Sequence, residues 1–94
     1  AVLLEAIASE LGLRACVRGA SAGLHVLLQL PQLDAGATPR LCDAARARGV
    51  GVYPAAPFYA RPPAHAELLL GYAALREDAI RHGVKGLRQA LDAL

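Results

Sequence analysis

Two runs, residues 24–30 and 67–72, constrain this chain more than any other feature, because both are apolar at nearly every position. A strand with one wet face alternates apolar and polar residues, so runs that fail to alternate belong in the interior of a sheet. The fold must therefore supply elements to cover that sheet. Residues 1–11 set Leu4, Ile7 and Leu11 on one stripe at spacings of three and four, followed by Gly12, which predicts an amphipathic helix with a glycine stop. From Arg76 onward Ile80, Val84, Leu87 and Leu91 repeat the pattern, and Glu77 and Asp78 stand where the helix dipole favours negative charge.

The remaining elements follow from punctuation. Residues 14–18 alternate charged and apolar side chains as a half-buried strand does, and the small residues 19–23 read as a turn into the strand 24–30, which should stop at Pro31. Residues 32–37 read as a loop. Thr38-Pro39 offers an N-cap hydroxyl and a first-turn proline, and Gly49 closes the helical segment 41–48. A short strand at 50–53 leads to a stiff loop at 54–64 with four prolines, Phe58 and Tyr59, of the kind that faces ligands or partners. The order is helix, strand, strand, helix, strand, strand, helix. That order predicts an α+β fold, a small and mostly antiparallel sheet with helices packed mainly on one face.

Composition narrows the function classes. A chain of 94 residues is one small domain, and at 55% hydrophobic residues with a mean hydropathy of +0.35 it is not disordered. No apolar run approaches the roughly 20 residues a bilayer requires. A net charge of +2, scattered along the chain, makes no footprint for direct nucleic-acid contact. Cys16 and Cys42 lack a close C-x-x-C spacing, which fits reduced thiols in the cytoplasm. The chain has no methionine, as expected of a piece excised from a longer chain or one that has lost its initiator. The apolar strands also carry more hydrophobic surface than three short helices can cover, so part of it is expected to meet another domain.

Residues of chemical interest have plain structural readings. His25, His65 and His82 lack the i, i+4 or H-x-E partners of a metal site, and His25 reads as a hydrogen-bonded imidazole of the sheet. Cys16, Cys42, Ser9, Ser21 and Thr38 are nucleophiles by type, yet no partner base is evident, so no catalytic residue is assigned. Lys85, the single lysine, reads as part of a solvated helix face with Arg81, Arg88 and Gln89.

Three segments in register make the sequence recognisable: Ala22 to Pro31, Ala47 to Pro54 and Leu68 to Leu75. Together they resemble the carboxy-terminal part of MocR-type transcriptional regulators, a branch of the GntR family in which a winged helix-turn-helix is joined to a fold type I aminotransferase-like region. The resemblance spans nearly the whole chain and implies the aminotransferase small domain, residues 1–94, which closes over a cleft holding pyridoxal 5'-phosphate. It further implies a large domain of the same chain as partner and a homodimer in the full-length protein, with no DNA or membrane contact by this piece. The lysine that anchors the cofactor belongs to that large domain, and no residue here matches it. Gly23, Tyr53, Tyr59 and Leu69 match stretches that line the cleft. At the position of Leu69, just before Leu70-Gly71-Tyr72, aminotransferases of this fold carry an arginine that pairs with the substrate α-carboxylate. Such a contact is worth about 1.5–3 kcal/mol, and leucine supplies none of it. Two further readings stay open: the small domain of a working aminotransferase, and a freestanding small-molecule-binding or interaction domain.

Overall fold

The computed structural model describes residues 2–21, 25–61, 63–71 and 76–94. These form three α-helices and a four-stranded sheet: α1 (Val2–Glu10), β1 (Cys16–Ser21), β2 (His25–Asp34), α2 (Thr38–Arg46), β3 (Val52–Pro54), β4 (His65–Gly71) and α3 (Glu77–Asp92), with short 3-10 turns at Gly12–Arg14, Ala35–Ala37 and Ala56–Phe58. The sheet runs β1-β2-β4-β3 and every pair is antiparallel. The two interior strands are the two apolar ones. Their alternate residues Val26, Leu28 and Leu30, with Ala66, Leu68 and Leu70, form one cluster with Leu3, Ile7 and Leu11 of the first helical segment, Leu41 and Ala45 of α2, and Val84 and Leu87 of α3. One cluster shared by all three helices puts them on the same face of the sheet, and the architecture is the α+β one that the element order predicts.

Several boundaries differ from the expected ones, each for a local reason. The stripe of α1 is Leu3, Ala6 and Ile7, not Leu4, which is 44% exposed. Arg14 is not in a strand: its N–H donates to the Leu11 carbonyl at 2.9 Å in the turn that Gly12 opens at φ +53°, and β1 begins two residues later. Residues 19–21 are strand rather than turn, pairing with Leu27, Val26 and His25, because small side chains permit a strand wherever a partner supplies the hydrogen bonds. Residues 22 and 23 of the expected turn, and Leu24 of the expected strand, lie outside the described residues.

Pro31 does not end β2. The pairing with β1 starts at Cys16 opposite Gln29, so β2 beyond Gln29 is free on that side, and the register with β4 shifts between Leu30 and Asp34. An irregular stretch of ladder tolerates a residue that cannot donate. Thr38 is not an N-cap. It is the first residue of α2, 7% exposed, with helical φ and ψ, and no side-chain cap bond is made there. The cap has moved upstream to Asp34, whose Oδ2 accepts from the Gly36 N–H at 2.9 Å and starts the 3-10 turn leading into the helix. Gly49 has φ +77° as its stop role requires, but Val50 then donates to the Ala45 carbonyl, which delays β3 to Val52. Pro54 falls on this edge strand.

Candidate functional site

The helices leave the opposite face of the sheet open, and its residues are fixed by the strand period. Since Leu28, Leu30, Leu68 and Leu70 enter the core, Leu27, Gln29, Glu67 and Leu69 point the other way. Two rows result. Leu27, Leu69 and Tyr53 stand opposite one another across β2, β4 and β3, while Cys16, Gln29 and Glu67 do so across β1, β2 and β4. Leu69 is half-buried and Tyr53 is 60% exposed.

Glu67 is the unusual member, a carboxylate only 8% exposed. A buried charge must be hydrogen-bonded, and the Tyr59 hydroxyl donates to Glu67 Oε1 at 2.5 Å. This bond folds the proline-rich loop back over the sheet. The loop is tied down further where the Ala55 N–H donates to the Glu67 carbonyl at 2.9 Å and where the Ala35 N–H donates to the Ala64 carbonyl at 3.1 Å. The bond to Glu67 holds the Tyr59 hydroxyl above the ordinary tyrosine range, reinforced by desolvation and the Glu67 charge and opposed by Arg18.

Of the cleft-lining candidates, Tyr53 and Leu69 thus share one row and Tyr59 reaches the same face, while Gly23 lies outside the described residues. Sequence reasoning passed over Leu27, Gln29 and Glu67. The available signal was Glu67 itself, an acid opening an otherwise apolar strand.

The other chemically interesting residues do not converge on this face. Lys85 is exposed on α3, in a shallow groove between α1 and α3 lined by Ala6, Ser9, Glu10, Arg81 and His82, on the far side of the core. Both cysteines are free, with Cys16 exposed and Cys42 buried in α2. Burial pushes the Cys42 thiol up and Asp43 adds to this, with Arg46 opposing, so it stays protonated and unreactive. Among the described residues no three His, Cys, Asp or Glu side chains gather in a metal-binding group, and no helix is long and apolar enough to cross a membrane.

Comparison with solved structures places this fold among the aminotransferases. LysN, the α-aminoadipate aminotransferase of Thermus thermophilus, crystallised with N-(5'-phosphopyridoxyl)-L-leucine, superposes with a TM-score of 0.80 over 98% of this chain and 23% of its own, at 29% identity. The sequence, in turn, is homologous to one segment of HTH-type transcriptional regulators. In Bacillus subtilis, the uncharacterised regulator YhdI is 41% identical over 90 residues and YdeL 37% identical over 90 residues, each match covering 96% of this chain. The chain spans 19% of the length of these relatives. No family profile matches it. The fold is thus aminotransferase-like and the sequence is homologous to a segment of HTH-type transcriptional regulators, in keeping with the resemblance to a small domain of MocR-type proteins.

Proposed function

We propose that this domain is the flap of a cytoplasmic, pyridoxal phosphate-dependent transcriptional regulator of the MocR type within the GntR family. It closes on a large aminotransferase-like domain of the same chain, in a homodimer, when an effector fills the cleft between them. The observation that carries this reading is the open sheet face. Leu27, Leu69 and Tyr53 lie there uncovered by any helix of the described residues, in a domain whose relatives are roughly five times longer.

Among the described residues, the two rows of the open face do not fit the cofactor. The chain's one lysine stands across the core from the open face, and the charged side chain within the two rows of that face is Glu67, which repels phosphate. Cofactor chemistry therefore belongs to the large domain, and the part played here is to cover, exclude water and report occupancy by moving.

Amide exchange on the full-length, cofactor-loaded protein tests this. Adding an effector should slow exchange in β3, β4 and the loop between them, and exchange there that is indifferent to every ligand bound by the protein would refute the flap. The likeness to LysN favours a second reading, a small domain serving transamination. Sustained conversion of an amino donor and a 2-oxo acid acceptor by the full-length protein would select it.

A further inference from the structure

Across the core from the open face, the groove between α1 and α3 encloses about 230 Å³. Ala6, Ser9 and Glu10 line one wall and Arg81, His82 and Lys85 the other. Residues three and four apart share a helix face, so Ala6 brings Ser9 and Glu10 with it, and Lys85 does the same for Arg81 and His82. The lining is polar except at Ala6, which is 2% exposed and forms the floor.

Most donors of this groove are left free by the fold. Among the described residues no ion pair engages Lys85 or His82, and no hydrogen bond engages the Ser9 hydroxyl. Arg81 reaches Glu5 at 3.6 Å and Glu77 at 3.4 Å, both long contacts between exposed groups that hold it weakly. The one carboxylate of the groove is already engaged, since Glu10 Oε1 accepts from Arg88 Nε at 3.0 Å. A lysine on a helix face is ordinarily just solvated. Here the ammonium shares a concavity with an imidazole, a guanidinium and, from the second helix, a hydroxyl, while the neighbouring negative charge is balanced from behind.

We propose that the groove between α1 and α3 binds a phosphate group through Lys85, His82, Arg81 and Ser9, with the second oxygen of Glu10 accepting from an O–H of the same ligand. A tetrahedral oxyanion suits this set because its oxygens address both walls at once. The ligand is inorganic phosphate or a small phosphate monoester. The site lies apart from the open sheet face and stands independently of the closure proposed for that face.

The test uses the full-length protein, first saturated with pyridoxal 5'-phosphate so that a phosphate pocket elsewhere is filled. It is titrated with inorganic phosphate and with glycerol 3-phosphate by calorimetry at low ionic strength. A saturable, equimolar site should appear. Lys85→Gln should weaken it roughly threefold, and Lys85→Gln with His82→Gln roughly tenfold, as expected of exposed charge contacts. Both side chains are exposed and unpaired, so the variants keep the fold. Arg40→Gln, a change at an exposed arginine of α2, should leave binding unchanged. Tighter binding of glycerol 3-phosphate points to an ester and tighter binding of inorganic phosphate to the free ion, and either supports the inference. No binding beyond the cofactor, binding that the double variant leaves intact, or an equal loss in Arg40→Gln overturns it.

Discussion

At the scale of single residues, two glycines of α3 are separated by three positions and have opposite surroundings. A Cβ added at Gly83 meets nothing within 4 Å, whereas one at Gly86 would stand 2.7 Å from Cγ2 of Val50, a stiff, half-buried side chain packed on the core. Gly83→Ala should therefore stabilise the domain by about 0.5–1 kcal/mol through helix propensity. Gly86→Ala gains the same propensity but forces Val50 aside at a cost of roughly 1–3 kcal/mol, for a net loss of about 1 kcal/mol. Urea unfolding of the two variants checks the sign, and stabilisation by both would mean that α3 does not approach Val50 so closely. This distinction is invisible in sequence, since both glycines sit in the same helical pattern and only the neighbouring element tells them apart. Thr38 fails in a similar way. Its cap signal is locally correct, yet Asp34 stands upstream with a turn that serves the same donors. The outward direction of Leu69, by contrast, follows directly once its apolar neighbours Leu68 and Leu70 are assigned to the core.

At the scale of elements, α1 and α3 are joined by charge. Arg88 Nε donates to Glu10 at 3.0 Å and its Nη1 to Asp92 at 3.0 Å, while Arg14 in the 3-10 turn donates to the other oxygen of Asp92 at 2.7 Å. The hydrogen bond from Arg14 is the chief reason that the Asp92 carboxyl lies below the ordinary carboxylate range, with the charges of Arg14 and Arg88 and the Arg88 hydrogen bond adding to it and desolvation opposing. A depressed pKa stabilises the fold at pH values above the unfolded carboxylate range, and that contribution is lost as pH falls through the folded value. The thermal midpoint of the wild type should thus decline through the acid range more steeply than that of Asp92→Asn, and parallel acid profiles would show the network to be inert. The pairs Arg14–Asp92 and Arg88–Glu10 join residues 78 positions apart and have no sequence signature, whereas Arg88 and Asp92 are i, i+4 neighbours on α3. Element order was legible because α3 carries a strong apolar stripe and β2 and β4 hold nearly unbroken apolar runs. Element ends were not, because Pro31 and residues 19–21 take their conformation from strand partners that a one-dimensional reading cannot place.

At the scale of the whole molecule, the three helices cover one side of the sheet, while the other side has the proline-rich loop over Glu67 and half-buried Leu27 and Leu69 beside exposed Tyr53. The isolated 94 residues should therefore self-associate through the row of Leu27, Leu69 and Tyr53. Sedimentation equilibrium should give a weight-average mass that rises with concentration, and Leu69→Lys should reduce it. A monomer at every concentration would argue that the proline-rich loop already shields this face.

The strand order has a kinetic corollary. The central ladder of the sheet joins β2 to β4, strands with α2 and β3 threaded between them, so its register cannot zip outward from a tight turn. Closing that long loop costs entropy before any pair in the ladder rewards it, which makes this step the natural bottleneck of folding. A ribosome making this domain must finish β4 before β2 has its central partner, and until then the most apolar strand of the nascent chain stays open to chaperones.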